Sequence, residues 1–128
     1  MKHRGSVFEY SRERDADLLS TYYRYVGFFG ANELYRRIVE SPARRFYVSP
    51  ERAYAVVLRI LRGSDLSRMR PERREMFFEI ARRVDDARVR YPQSSLAAII
   101  ERVVEQPAPK FYLTPKSAIT IIHYIRKR

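Results

Sequence analysis

The chain of 128 residues contains no cysteine and no tryptophan, only two histidines and only four glycines. Without cysteine there is no disulfide framework, no thiol nucleophile and no thiolate metal site. His3 and His123 are too few imidazoles for a histidine-based metal centre, and four glycines leave little for a phosphate-cradling loop. Long apolar runs are missing too. The longest, such as Ala53 to Leu58, fall far below the roughly 20 residues that a spanning helix needs. Residues 1–10 are polar and basic and lack the apolar stretch of a signal peptide, so a cytoplasmic protein with no membrane partner is expected.

Acidic residues are in deficit. Lys and Arg number 26 against 15 Asp and Glu, a net charge of +11. The excess favours anionic partners: nucleic acid, a charged membrane surface or an acidic protein. At 45% hydrophobic and 32% charged, the composition is that of a folded protein. Most of the positive charge is arginine, set among 10 Tyr and 7 Phe. A guanidinium fits phosphate and guanine edges and stacks on rings, although GC-rich coding inflates arginine with no functional meaning.

What the chain does contain is an internal match. Residues 37–50 read RIVESPARRFYVSP and residues 102–115 read RVVEQPAPKFYLTP, with 8 of 14 positions identical and no gap. Four of the remaining positions are close exchanges, such as Val48/Leu113 and Ser49/Thr114. The offset is 65 residues, and it reaches from Leu34 and Tyr35 (Ile99 and Ile100) to Ile60 (Ile125). Farther back an offset of 59 pairs Glu13 with Glu72 and Leu18-Leu19 with Phe77-Phe78. That shift implies about six extra residues near Asp85 to Pro92, expected as a loop insertion. This pattern reads as a duplication.

Each copy is expected to be three helices, so the fold class is all-α. The third helices start at Pro50 and Pro115 behind the N-cap types Ser49 and Thr114. Apolar positions 53, 56, 57, 60 and 118, 121, 122, 125 follow the spacing of one buried helical face. The middle helices are expected over about 32–40 and 95–105, stopped by Pro42 and Pro107. The leading ones are expected over about 12–26 and 71–88, with Phe77, Ile80, Ala81 and Val84 facing inward. ARRFYV and APKFYL each make a short extended segment before the third helix. The division is then a basic N-terminal arm (1–10), a first repeat (11–63), a linker (64–70) and a second repeat (71–128). Units of this size are expected to pack together, with approximate two-fold symmetry.

The third helices also carry the candidate binding surface. Opposite the buried face of the first lie Arg52, Ala55, Arg59 and Arg62. The second has Ser117, Thr120, Tyr124 and Lys127, with Lys116 and His123 alongside. Such a face suits a phosphate-tracking or groove-inserted helix, and equally a solvated helix in a basic protein. Arg44, Arg45 and Lys110 precede the Phe-Tyr pairs and a capped helix start, where a cation and backbone N–H groups can hold a phosphate. Phe46 and Phe111 themselves are expected in the core. The nine residues from Ser41 to Ser49 are too many for the 3–4-residue turn of a plain helix-turn-helix.

Enzymatic signals are weak. Glu72, Glu75 and Glu79 alternate with arginines as on an ion-paired helix surface. The H-x-x-R spacing of His123 and Arg126 resembles one piece of the tyrosine recombinase active site. That resemblance implies a further arginine and a downstream nucleophilic tyrosine; two residues follow Arg126, and the chain is short for that fold. A surface or partly buried role is therefore expected for His123, and no catalytic residue, cofactor or metal is assigned. The expectation is a nucleic-acid-binding protein, DNA ahead of RNA, working through the third-helix faces. The alternative is a protein-interaction module or homodimer built on Tyr22, Tyr23, Tyr25, Phe28 and Phe29.

Overall fold

The computed structural model describes the backbone of residues 2–127 and the side chains of residues 10–127. It is all-helical, with six helices and no strand among those residues: α1 (Lys2–Tyr25), α2 (Ala31–Val39), α3 (Pro50–Leu61), α4 (Pro71–Arg90), α5 (Leu96–Val104) and α6 (Pro115–Lys127). No helix is long and apolar enough to cross a membrane among the described residues.

Local chemistry sets most of the boundaries. Pro50 and Pro71 open α3 and α4, where a missing N–H leaves no broken bond. The Ser49 hydroxyl accepts from Arg52 N at 3.1 Å, and Thr114 Oγ1 does the same for Ser117 N at 3.0 Å. Ser95 caps α5 through Ala98 N. At the end of α3, Gly63 takes φ +99°. Its N–H reaches Ile60 O while Ser64 N–H reaches back to Arg59 O, the paired closure that a left-handed glycine permits.

Two expected boundaries differ. α1 begins at Lys2, so the backbone of the expected basic arm is helical; the side chains of residues 1–9 lie outside the described part. The expected loop insertion is helix as far as Arg90. Asp17, Leu18, Thr21 and Tyr22 are buried in α1, and Met76, Phe77, Ile80 and Ala81 are buried at the offset of 59 in α4. α4 then continues through residues 85–90, and the connections after α1 and α4 are of equal length.

The packing forms two compact units that cut across the repeats read from the sequence. One holds α1, α2 and α6; the other holds α3, α4 and α5. The chain passes from one unit to the other after Tyr47 and back after Gln106. In the first, α6 packs on α1 and α2, around Leu18, Leu34, Ile38, Phe46, Ala118 and Ile122. In the second, α3, α4 and α5 all touch, around Val56, Val57, Phe77, Ile80, Ile100 and Val103. Phe46 and Phe111 are core residues, as expected.

The segments before α3 and α6 meet inside the first unit. Ala43 and Ala108 exchange backbone hydrogen bonds, 3.0 Å in each direction. Phe46 stacks on Tyr112 (centroids 6.1 Å apart) and Tyr47 on Phe111 (6.4 Å). Each ring thus meets the neighbour of its own match 65 residues away. Tyr112 alone of these rings has a left-handed backbone, φ +59°. For a non-glycine residue that conformation persists only where the surroundings hold it.

Candidate nucleic-acid interface

On α3 the sequence pattern translates directly into exposure. Ala53, Val56 and Val57 are buried, and Arg52, Ala55, Arg59 and Arg62 are all exposed. None of these three arginines forms an ion pair among the described residues. The face is bounded by acid: Pro50, Glu51, Tyr54, Ala97 and Glu101 line an open cleft of about 300 Å³ beside it.

α4 adds a cation that the sequence reading passed over. Arg73 sits over the Phe77 ring at 5.5 Å. Burial first, and then the charge of Arg52, make its proton easier to lose than an ordinary guanidinium's. Arg52 and Arg73 are therefore near enough to repel each other. The expected lacing of α4 by ion pairs holds farther along: Glu79 takes Arg82 at 2.7 Å and Arg83 at 2.8 Å, and Arg82 also reaches Asp86. Hydrogen bonding from Arg82 is the chief reason the Glu79 carboxyl lies below its usual range.

α6 belongs to the other unit and is less uniformly free. Lys116, Thr120, His123, Tyr124 and Lys127 are exposed. Ser117 is half-buried and occupied at the helix start, where it meets Thr114. Thr120 Oγ1 donates back to Lys116 O at 3.2 Å.

The three loop cations have separate fates. Arg44 has its side chain 74% exposed, with Nε 3.9 Å from an Asp17 oxygen. Arg45 is half-buried, laid over the Tyr10 ring at 4.4 Å and donating from Nε to Phe46 O. Its Nη2 is buried with no hydrogen-bond partner among the described residues. Lys110 is half-buried, its Nζ 5.8 Å from the centre of the Tyr112 ring. Arg45 is thus turned inward, which leaves Arg44 as the most exposed of the three.

Asp17 is the residue that sequence reasoning missed. Only 3% exposed, its carboxylate accepts from Arg44 N at 2.9 Å and from the Tyr47 hydroxyl at 2.5 Å. It ties α1 to the segment that carries Arg44 and Arg45. The signal was its place in the buried row with Leu18, Thr21 and Tyr22, where an acid stands out.

The Tyr47 hydroxyl holds its proton far more tightly than usual, first through burial and then through its bond to Asp17 and the charge of Asp17. The folded form therefore resists a deprotonation that the unfolded chain undergoes near pH 10. This contribution to stability is full below about pH 10 and is lost as pH rises above that value. Urea midpoints of the parent and Tyr47→Phe should differ by a constant amount at lower pH and converge from about pH 10 upward. A gap that stays constant to about pH 11 would contradict the assignment.

The aromatic cluster of the sequence splits in two. Tyr22 is buried, Tyr25 and Phe29 are half-buried, and Tyr23 and Phe28 are exposed, Phe28 to 79%. Phe28 stands on a tight turn with Gly27 at φ +92°, beside Phe29, which is covered by the Arg37 guanidinium at 4.7 Å. Comparison with family models, with curated proteins and with solved structures gives no match to this chain.

Proposed function

We propose that this chain is a small nucleic-acid-binding protein without enzymatic activity, DNA ahead of RNA, that holds phosphates through the exposed faces of α3 and α6. The observation that carries the reading is the state of Arg52, Arg59 and Arg62. Elsewhere the acids are used: Glu33 takes Arg36 and Arg37, and Glu79 takes Arg82 and Arg83. The α3 arginines have no such partner among the described residues, and Arg52 even stands against a second cation. Unneutralised arginines in a row suit a polyanion. We also read the chain as a duplicated three-helix unit with approximate two-fold symmetry. The exchanged contacts of Ala43 with Ala108, Phe46 with Tyr112 and Tyr47 with Phe111 support that reading.

Fluorescence anisotropy with labelled duplex DNA, single-stranded DNA and RNA tests the proposal. If Arg44, Arg52, Arg59, Arg62, Lys110 and Lys127 all meet phosphates of one duplex, the log–log salt slope is about −5. Affinity then drops steeply between roughly 50 and 200 mM salt, with one nucleic acid preferred. Weak, equal binding to all three that vanishes by about 200 mM would overturn it. The surface would then pass to a second reading, a protein-interaction module or homodimer, which the exposure of Phe28 and Tyr23 favours.

A further inference from the structure

The H-x-x-R pair of α6 acquires partners in the fold that its spacing alone does not reveal. The Arg126 Nη1 donates to the Tyr22 hydroxyl at 3.0 Å, with its guanidinium carbon 5.0 Å from the centre of that ring. The His123 Nε2 lies 3.4 Å from the Tyr35 hydroxyl. Tyr22 and Tyr35 come from α1 and α2 and stack on one another, centroids 6.3 Å apart. Both rings are buried while His123 and Arg126 are exposed, which places the two hydroxyls at the rim of the core. Neither His123 nor Arg126 has a carboxylate partner among the described residues. The Tyr35 hydroxyl is made less acidic by burial and by Tyr22, and Arg126 is the charge that opposes this.

We propose that Arg126, His123 and the hydroxyls of Tyr22 and Tyr35 form a phosphate-binding site on the unit of α1, α2 and α6. The inference rests on the nucleic-acid reading for the source of the phosphate, and deepens it. The Tyr22 hydroxyl accepts from Arg126 and so has its own proton to donate. The guanidinium keeps its remaining donors, and the Tyr35–His123 pair keeps one: the hydroxyl proton when Nε2 donates, or Nδ1–H when the hydroxyl donates to Nε2. With Nε2 protonated these donors approach from three helices, an arrangement suited to the several oxygens of a tetrahedral phosphate. Lys127 and Tyr124 are exposed beside it, a second cation and a ring on which a base can stack. A purely structural role, clipping α6 to α1 and α2, accounts for the two hydrogen bonds but leaves the positive charge without a counter-ion.

With only two histidines in the chain, the imidazole C–H resonance of His123 is assigned by comparison with His123→Gln. Inorganic phosphate is expected to shift it, chloride at equal ionic strength is not, and Arg126→Gln abolishes the response. Nucleic-acid affinity falls about tenfold in Arg126→Gln and is only partly kept in Arg126→Lys, which retains charge without the fork. Thermal unfolding of Arg126→Gln beside that of His123→Gln, both at exposed positions, serves as the control for folding. Short strands with and without a 5′-phosphate separate a terminal phosphate from backbone diesters: both move His123 if diesters bind, and only the first if the end does. If nucleic acid binds while the His123 signal stays fixed, this site is wrong and the wider reading stands. If phosphate moves His123 but no nucleic acid binds at low salt, the site stands and the wider reading falls. No response to either overturns the site.

Discussion

Replacing Asp17 with alanine is expected to cost about 3 kcal/mol, a large share of what holds a domain of this size together. The carboxylate is almost wholly buried and accepts two hydrogen bonds, from Arg44 N and the Tyr47 hydroxyl, both at Oδ2. Alanine leaves two donors facing a protein interior, each penalised by about 1–3 kcal/mol, offset in part by the relief of a buried charge. Asparagine separates the two contributions. With its oxygen in the place of Oδ2 it keeps both bonds and gives up only the weak approach to Arg44 Nε at 3.9 Å. Asp17→Asn should therefore lose about 1 kcal/mol, well short of the alanine variant. Urea denaturation followed by circular dichroism gives both values. An alanine variant as stable as the parent would mean that water replaces the carboxylate and that Asp17 is no anchor.

The helices were legible because their ends are written in local chemistry. Pro50 and Pro115 behind Ser49 and Thr114, and Gly63 at the close of α3, act within one turn of where they stand. The apolar spacing of α3, α4 and α6 identified their buried faces for the same reason. What spacing does not encode is which partner a face meets. Ala118 and Ile122 fit either set of leading and middle helices, since the matched segments present similar faces. That α6 packs on α1 and α2, and α3 on α4 and α5, is settled by three-dimensional packing alone. The change of offset between the copies reads as a loop insertion, although no glycine or proline breaks residues 85–90 and α4 runs on through Arg90.

The candidate surface was legible where exposure follows from helical phase, as for Arg52, Arg59 and Arg62. It was not legible where a cation is drawn toward a ring remote in sequence. Nothing near Arg45 announces that Tyr10 covers it, and nothing near Arg126 announces Tyr22, 104 positions away. Asp17 carries no local signal of its partners, which lie 27 and 30 positions along the chain. Arginine was thus over-counted as free in one place and under-counted in another.

The charge-reversed variant Arg52→Glu, Arg59→Glu, Lys127→Glu is expected to bind nucleic acid at least about a hundredfold more weakly than the parent, with a salt slope shallower by about 3. Three phosphate contacts disappear and three repulsions replace them, so the loss exceeds that of simple neutralisation. Folding should survive. Arg52 lies in the first turn of α3, where a carboxylate is favoured by the helix dipole, and a glutamate there meets Arg73 as an opposite charge instead of a like one. Arg59 and Lys127 are in the last turns of α3 and α6, where each exchange costs about 0.3–1 kcal/mol at an exposed position. Anisotropy titrations at several salt concentrations, beside a melting curve, keep the two effects apart. Reversing Arg52 and Arg59 alone, then Lys127 alone, apportions the loss between α3 and α6. A folded triple variant with parental affinity would show that the bare arginine row of α3 is only a solvated face, and would remove the observation on which the proposed function stands.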